Sequence, residues 1–371
     1  MQIFSLFLVC VGVIYEVVRY KIYTKTEQVW DAMLESINQA RSSIFLEMYI
    51  FSDNTSDTHD FVEILRQKAI SGIKVKIIFD SFGSGGNLLE KSLAKLKDAG
   101  VELFFFKKLF RYTHRKVLVI DESVAFIGGV NINKFFKKWH DLHIKIEGKI
   151  VNHIMRSFAR VYKKCGGRDP FVLQYDKSRL IQRGKIWFFE HFSDKSSFRL
   201  NKYYRNKIDG AEEKISIVTP YFMPNRWVIN ALKRAAERGV AVEIVMPKVA
   251  TNPKIANWSN YLYMNKLFPS GVKFFLTNEM IHSKLMIIDG KEGILGSQNV
   301  DVLSFDLGME SGIFFTEKKL VDNLANVVFR WKGDSVMFTP KMRNNYFFDH
   351  LINFSLSAFE YAIKIFNRFT I

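Results

Sequence analysis

The chain reads HRKVLVID at residues 114–121 and HSKLMIID at residues 282–289, with histidine, lysine and aspartate at the same places and apolar residues between them. Each stretch is followed by a glycine-containing turn and an asparagine: Gly128, Gly129 and Asn131 in the first, Gly296, Ser297 and Asn299 in the second. The register extends upstream, because Gly72 and Gly239 stand almost as far apart as His114 and His282. Similarity at constant spacing marks one structural unit used twice. Each copy alternates strand, helix and strand. In the first these are 43–49, a helix through Phe61, Ile64 and Leu65, and 75–80; in the second, 215–221, 227–238 and 242–246. Such alternation predicts an α/β layer structure in each copy.

The 371 residues carry 54 Lys+Arg against 37 Asp+Glu, a net charge of +17, and 48% of them are hydrophobic. That apolar share excludes a largely disordered chain. Two cysteines, Cys10 and Cys165, exclude a disulfide scaffold and an all-cysteine metal site. The basic excess suits a polyanionic partner, either nucleic-acid phosphates or acidic lipid head groups.

The glycine pair and proline within 165–170 suggest a division into lobes at 21–170 and 171–371. Thr24 and Glu27 fit a capping box ahead of a core stripe at Val29, Met33 and Ile37. Residues 1–20 are largely apolar but short for a spanning helix, with Arg19, Lys21 and Lys25 at the end. They read either as a membrane anchor that leaves the remainder in the cytoplasm or as a buried element. The apolar tail at 346–369 is either a docked core helix or an interfacial one.

Strand alternation puts His114 with Lys116, and His282 with Lys284, on shared faces. Asp121 and Asp289 fall where the strands turn and are read as structural. A histidine in acid-base or nucleophilic work needs a partner on its other nitrogen to fix tautomer and orientation. Asp141, 27 residues after His114, and Glu310, 28 after His282, are the matched candidates. The cluster Lys107, Lys108, Arg111 and Arg115 is either a solvated face or a means of drawing in an anionic substrate. His140, His143 and His350 read as ordinary histidines, and 81–86 as a turn.

The paired His-x-Lys-x4-Asp motif resembles the phospholipase D superfamily over roughly residues 21 to 340. The stretches at 45–51, 80–84, 139–141, 219–224 and 296–301 are most similar to bacterial cardiolipin synthases. Two departures stand out: one short apolar segment where many such synthases carry two membrane helices, and Gly129 where a serine is usual. The resemblance implies two lobes about a pseudo-twofold axis with both motifs converging on one site. It implies His114 as nucleophile, forming a phosphohistidine, and His282 as general acid and then base. Lys116, Lys284, Asn131, Asn299 and Ser297 would hold the phosphate oxygens, and Asp141 and Glu310 would orient the imidazoles, with no metal or other cofactor. The implied reaction makes cardiolipin and glycerol from two phosphatidylglycerol molecules at the cytoplasmic face of a bacterial inner membrane. A hydrolytic phospholipase D and a nuclease of the same superfamily, for which the positive charge would suit nucleic acid, stand as alternatives.

Overall fold

The computed structural model describes residues 18–56, 58–177, 184–192, 199–249, 254–340, 358 and 362–363. The first half runs β1 (Arg19–Lys25), α1 (Thr26–Asn38), β2 (Ser43–Met48), α2 (Phe61–Ile70), β3 (Lys74–Asp80), α3 (Glu90–Asp98) and β4 (Glu102–Phe106). It continues through β5 (Tyr112–Thr113), β6 (Lys116–Ile120), β7 (Val124–Gly128), β8 (His140–Glu147) and α4 (Ile150–Lys164). The second half follows as α5 (Pro170–Leu173), β9 (Ile186–His191), α6 (Arg199–Asp209), β10 (Lys214–Val218), β11 (Phe222–Met223), α7 (Arg226–Glu237), β12 (Ala241–Pro247) and α8 (Lys254–Leu267). Then come β13 (Lys273–Thr277), β14 (Leu285–Ile288), β15 (Glu292–Gly296), β16 (Val300–Asp301), α9 (Val302–Asp306), β17 (Gly308–Phe315), α10 (Lys318–Gly333) and β18 (Ser335–Met337).

One sheet is ordered β1-β8-β7-β6-β2-β3-β4. The other contains β9-β17-β15-β14-β10-β12-β13, the same order strand for strand, extended by β18 at one edge and by β5 on β17. The expected pair of similar α/β lobes, each a mixed sheet flanked by helices, is what the chain forms. Even the helix ends repeat. Gly72 and Gly239 adopt φ of 87° and 89°, and the amides of Ile73 and Val240 reach back to the carbonyls of Lys68 and Ala235. A left-handed residue at this point admits glycine without steric cost, which explains why both copies keep it.

Among the described residues, most of the core falls into three clusters, with a small fourth at Val302, Leu307 and Ile363. Helices α1, α2 and α3 cover one face of the first sheet, and α6, α7 and α8 one face of the second. The remaining faces share a single cluster with α4 and α10, joining Phe45, Val117 and Phe158 to Ile287, Leu295 and Leu324. The glycines after α4 therefore end a helix without separating two cores. Asp169, within the boundary expected from sequence, is ion-paired to Lys76 at 2.8 Å, and β5 of the first half extends the second sheet.

The capping box is a correction. Thr24 belongs to β1, which pairs with β8, and α1 starts at Thr26 without a side-chain cap. The Thr26 amide instead donates to the Trp139 carbonyl at 3.0 Å, so tertiary pairing supplies what the cap would have. The apolar segment through residue 17, Cys10, the tail at 346–369 apart from isolated positions, and His350 lie outside the described residues. Among the described residues, no helix is long and apolar enough to cross a membrane.

Candidate active site

Strands β2, β3, β4 and β7 run parallel and end on one side of the first sheet, as β10, β12, β13 and β15 do in the second. A cleft of about 610 Å³ opens there, lined from both lobes by His114, Asn131, His282 and Asn299 among others. Binding at the carboxyl ends of strands is the general habit of open α/β sheets.

The continuous motif strands expected from alternation are interrupted at the histidines. β5 stops at Thr113 and β6 starts at Lys116, while β14 starts at Leu285. The cause is pairing with the opposite lobe. The His114 amide donates to the Met309 carbonyl at 2.9 Å, and the His282 amide donates to the His140 carbonyl at 2.7 Å. Each motif histidine is thus stitched to the strand that carries the other lobe's carboxylate. His114 Nδ1 lies 3.2 Å from both oxygens of Glu310, and His282 Nδ1 lies 2.8 Å from Asp141 Oδ2. Within each pair, the imidazole and the carboxylate come from different halves of the chain.

All four groups are buried. Burial, then the ammonium of Lys116, pushes the His114 imidazole down to about 4; burial, then Lys284, pushes His282 down to about 3. Burial alone would raise Asp141 and Glu310, but the adjoining histidine and lysine hold both below the ordinary carboxylate range. Neutral rings donating Nδ1–H to carboxylates present Nε2 toward the cleft.

The two copies differ around Nε2. Lys284 Nζ lies 2.9 Å from His282 Nε2 and also contacts the His282 carbonyl, whereas Lys116 Nζ donates to the His114 carbonyl at 2.5 Å. Burial and the neighbouring Lys284 hold Lys116 well below its ordinary value, and burial pushes Lys284 down to about 8. A negative charge placed beside these two buried amines would favour their protonated forms.

The Ser297 hydroxyl is fully buried and donates to Glu310 Oε2, while it accepts the Ser311 amide at 3.1 Å. In this geometry the hydroxyl braces the carboxylate that holds His114. In the first copy Gly129 occupies the matching place because a Cβ there would lie 2.2 Å from Asp141 Oδ1. Arg115, expected in a surface cluster, is also corrected. It is wholly buried, 3.4 Å from Glu47 and 2.8 Å from Ser157 Oγ.

Asn131 and Asn299 both face the cleft, and the buried Asn299 Oδ1 has no hydrogen-bond partner among the described residues. The motif aspartates lie at the far ends of the strands. Asp121 accepts the amides of Arg41, Ser42 and Ser43, and Asp289 those of Glu212, Glu213 and Lys214, each clamping the start of a neighbouring strand.

Several residues went unread in the sequence. The Tyr49 ring meets His114 edge-on at 4.6 Å, and Trp139 packs 5.4 Å from His282. Tyr49 and Tyr221, each just past the first central strand of its copy, were visible in the repeat. Asp80, pushed up to about 6 by burial, accepts the Thr113 amide at 2.7 Å and so fixes the residue before His114. No group of three His, Cys, Asp or Glu side chains among the described residues is placed to hold a metal.

Residues 33–162 and 204–331 match the family model described as cardiolipin synthase, PLD-like domain. A probable cardiolipin synthase of Bacillus subtilis is 27% identical over 322 residues, covering 82% of this chain and 64% of the relative. A cardiolipin synthase of Geobacillus is 30% identical over 331 residues, covering 81% and 64%. The chain therefore spans about 64% of the length of these relatives. Among solved structures, a phosphatidylserine synthase from Haemophilus influenzae superposes with a TM-score of 0.72 at 17% identity over 94% of both chains, a likeness of fold. With the family model matched in both halves, the chain belongs to the cardiolipin synthase, PLD-like domain family.

Proposed function

We propose that the protein is a phosphatidyltransferase that makes cardiolipin and glycerol from two phosphatidylglycerol molecules through a phosphohistidine. The observation that carries this reading is the crossed pair of imidazole–carboxylate couples opening into one cleft. The names of the relatives support the lipid class, as does the cleft wall, where Ile50, Phe110, Phe136, Met223, Leu303 and Leu307 give an apolar surface suited to a lipid rather than a polynucleotide.

His114 Nε2 attacks phosphorus, the bond to glycerol oxygen breaks, and the leaving oxygen takes a proton from His282. The terminal hydroxyl of a second phosphatidylglycerol then gives its proton to His282 and attacks phosphorus. The P–N bond breaks, and cardiolipin and the free His114 ring result. One phosphodiester replaces another at each cycle, so no nucleotide is consumed. Burial, then the neighbouring Lys284, favours a neutral His282 ring at pH 7. The negative phosphodiester reverses that penalty, and Lys284 beside Nε2 is the adjoining proton donor. Lys116, Lys284, Asn131 and Asn299 receive the non-bridging oxygens. The lipid substrate implies work at a membrane surface, and with residues 1–20 as an anchor the basic residues after them favour its cytoplasmic side.

The test is to incubate the purified protein in detergent with phosphatidylglycerol and to identify lipids and free glycerol by mass spectrometry, with His114→Ala and His282→Ala alongside. Cardiolipin with glycerol, lost in both variants, is expected. Phosphatidic acid without cardiolipin would make the enzyme a hydrolase. Nucleic-acid degradation without lipid turnover would overturn the reading. A phosphohistidine mapped to 282 instead of 114 would exchange the two roles.

A further inference from the structure

We infer that the lip of the cleft on the first lobe docks onto an anionic lipid bilayer, an inference that rests on the lipid reading above and names its surface. Three turns form this lip, following β3, β4 and β7. They expose Phe82 (82%), Leu109 (77%), Phe110 (62%) and Phe135 (61%). Single exposed apolar side chains are ordinary, but Phe82, Leu109 and Phe135 together around one cleft mouth make an apolar patch suited to docking.

The tips are held outward by structure. Lys108 and Arg111 bridge a tight reversal with Leu109 and Phe110 at its apex, and Phe110 has φ of 54°, a left-handed backbone rare for a bulky side chain. Phe82 sits on a turn whose amides at Phe82 and Gly83 are fixed by Asp80, while Ser84 Oγ donates to the Tyr49 carbonyl at 2.8 Å. Phe135 stands against Phe136 and Trp139 at 5.5 and 5.4 Å, and its amide donates to Asn133 Oδ1 at 2.9 Å. Anchors already ordered lose little freedom on docking.

Charge selects the occupant. Lys107, Lys108, Lys134 and Lys138 are exposed around these tips and form no ion pair among the described residues. Aromatic and aliphatic tips ringed by lysines suit the boundary of an acidic membrane, with apolar groups among the upper acyl chains and ammoniums at the phosphates. A second copy docked by a twofold contact would set lysine against lysine. The same lip leads into the cleft, so a lipid phosphate can reach His114 with its acyl chains still in the bilayer.

The test uses the full chain and vesicles of phosphatidylcholine with or without phosphatidylglycerol. A Leu109→Trp variant should gain blue-shifted emission, quenched by lipids brominated high on the acyl chain, only when phosphatidylglycerol is present. Replacing Phe82, Leu109, Phe110 and Phe135 by serine should lower vesicle partitioning roughly a hundredfold with the thermal midpoint unchanged. No spectral change at position 109, with partitioning intact in the serine variant, would assign attachment elsewhere in the chain and overturn the inference. A shift that appears with rising protein concentration and no vesicles would assign the lip to self-association. Docking without turnover of phosphatidylglycerol would leave the surface standing and remove the reaction; turnover without docking would do the reverse.

Discussion

Asp141 Oδ2 lies 2.8 Å from Nδ1 of His282, 141 positions along the chain and in the opposite lobe. Glu310 is bound to His114 in the same crossed manner. Asp141→Asn should therefore disturb His282 and leave His114 in place. In nitrogen-15 spectra of labelled histidines, the Nδ1–H signal of His282 should change alone; in Glu310→Gln, that of His114 alone. Loss of the tautomer-fixing partner should lower kcat by about a hundredfold to ten-thousandfold. If Asp141→Asn perturbed His114 instead, the crossed assignment would fail.

Gly129 is kept small by that same carboxylate. A methyl group there would lie 2.2 Å from Asp141 Oδ1, so the side chain must leave His282 to accommodate it. Gly129→Ala is expected to reduce kcat by at least roughly tenfold and to lower the melting temperature, an overpacking cost of about 1–3 kcal/mol. In an Asp141→Ala background the same change should cost little further stability. Equal destabilisation in both backgrounds would point to another clash.

Ser297→Ala separates bracing from substrate binding. A hydroxyl on the phosphate would show as a raised KM, whereas one holding Glu310 should lower kcat and leave KM nearly unchanged. Its removal takes one hydrogen bond from a buried carboxylate, on the order of 1.5–3 kcal/mol. Steady-state kinetics on a soluble phosphodiester would decide, and a pure KM effect would restore the phosphate role.

The fold was legible because the repeat carries its own punctuation: Gly72 and Gly239 close matching helices, and β2 and β10 open matching sheets. The partner of each imidazole was not. Asp141 and Glu310 follow the histidines by nearly equal intervals, so their spacing is silent about whether pairing stays within a lobe or crosses. The crossing comes from β5 on β17 and from His140 against Ile281, contacts across the two halves. Arg115 misled for a related reason. A charged residue between His114 and Lys116 reads as surface, yet it is buried against Glu47 and Ser157. Thr24 lost its cap to β1 pairing, a tertiary contact without a local signal.

Three buried histidines should contribute to the loss of stability in acid. His114 is held near 4, and His143 and His282 near 3, each chiefly by burial. In the unfolded chain they titrate near 6.5, so between about pH 6.5 and 4 the unfolded state binds more protons. The stability from neutral burial is fully present above 6.5 and is lost progressively as pH falls toward 4, in total on the order of several kcal/mol. Melting temperature should drop steeply across that window, and His143→Gln should flatten the drop. An equally steep drop in His143→Gln would remove His143 from the account.

With Lys284 on the substrate phosphate as proposed, anion affinity should depend on alkaline pH. Burial pushes its ammonium down to about 8, so with no anion bound the charge would be lost as pH rises through that value. An anion bound beside it favours the charged form, hence binding weakens where the proton must first be recovered. The inhibition constant of a phosphate-like anion such as tungstate should be flat from pH 6.5 to 7.5. It should rise about tenfold for each further unit well above pH 8. Lys284→Arg, charged throughout, should abolish that rise while binding the anion in a different geometry. A pH-independent constant in the native chain would mean that Lys284 does not meet the anion.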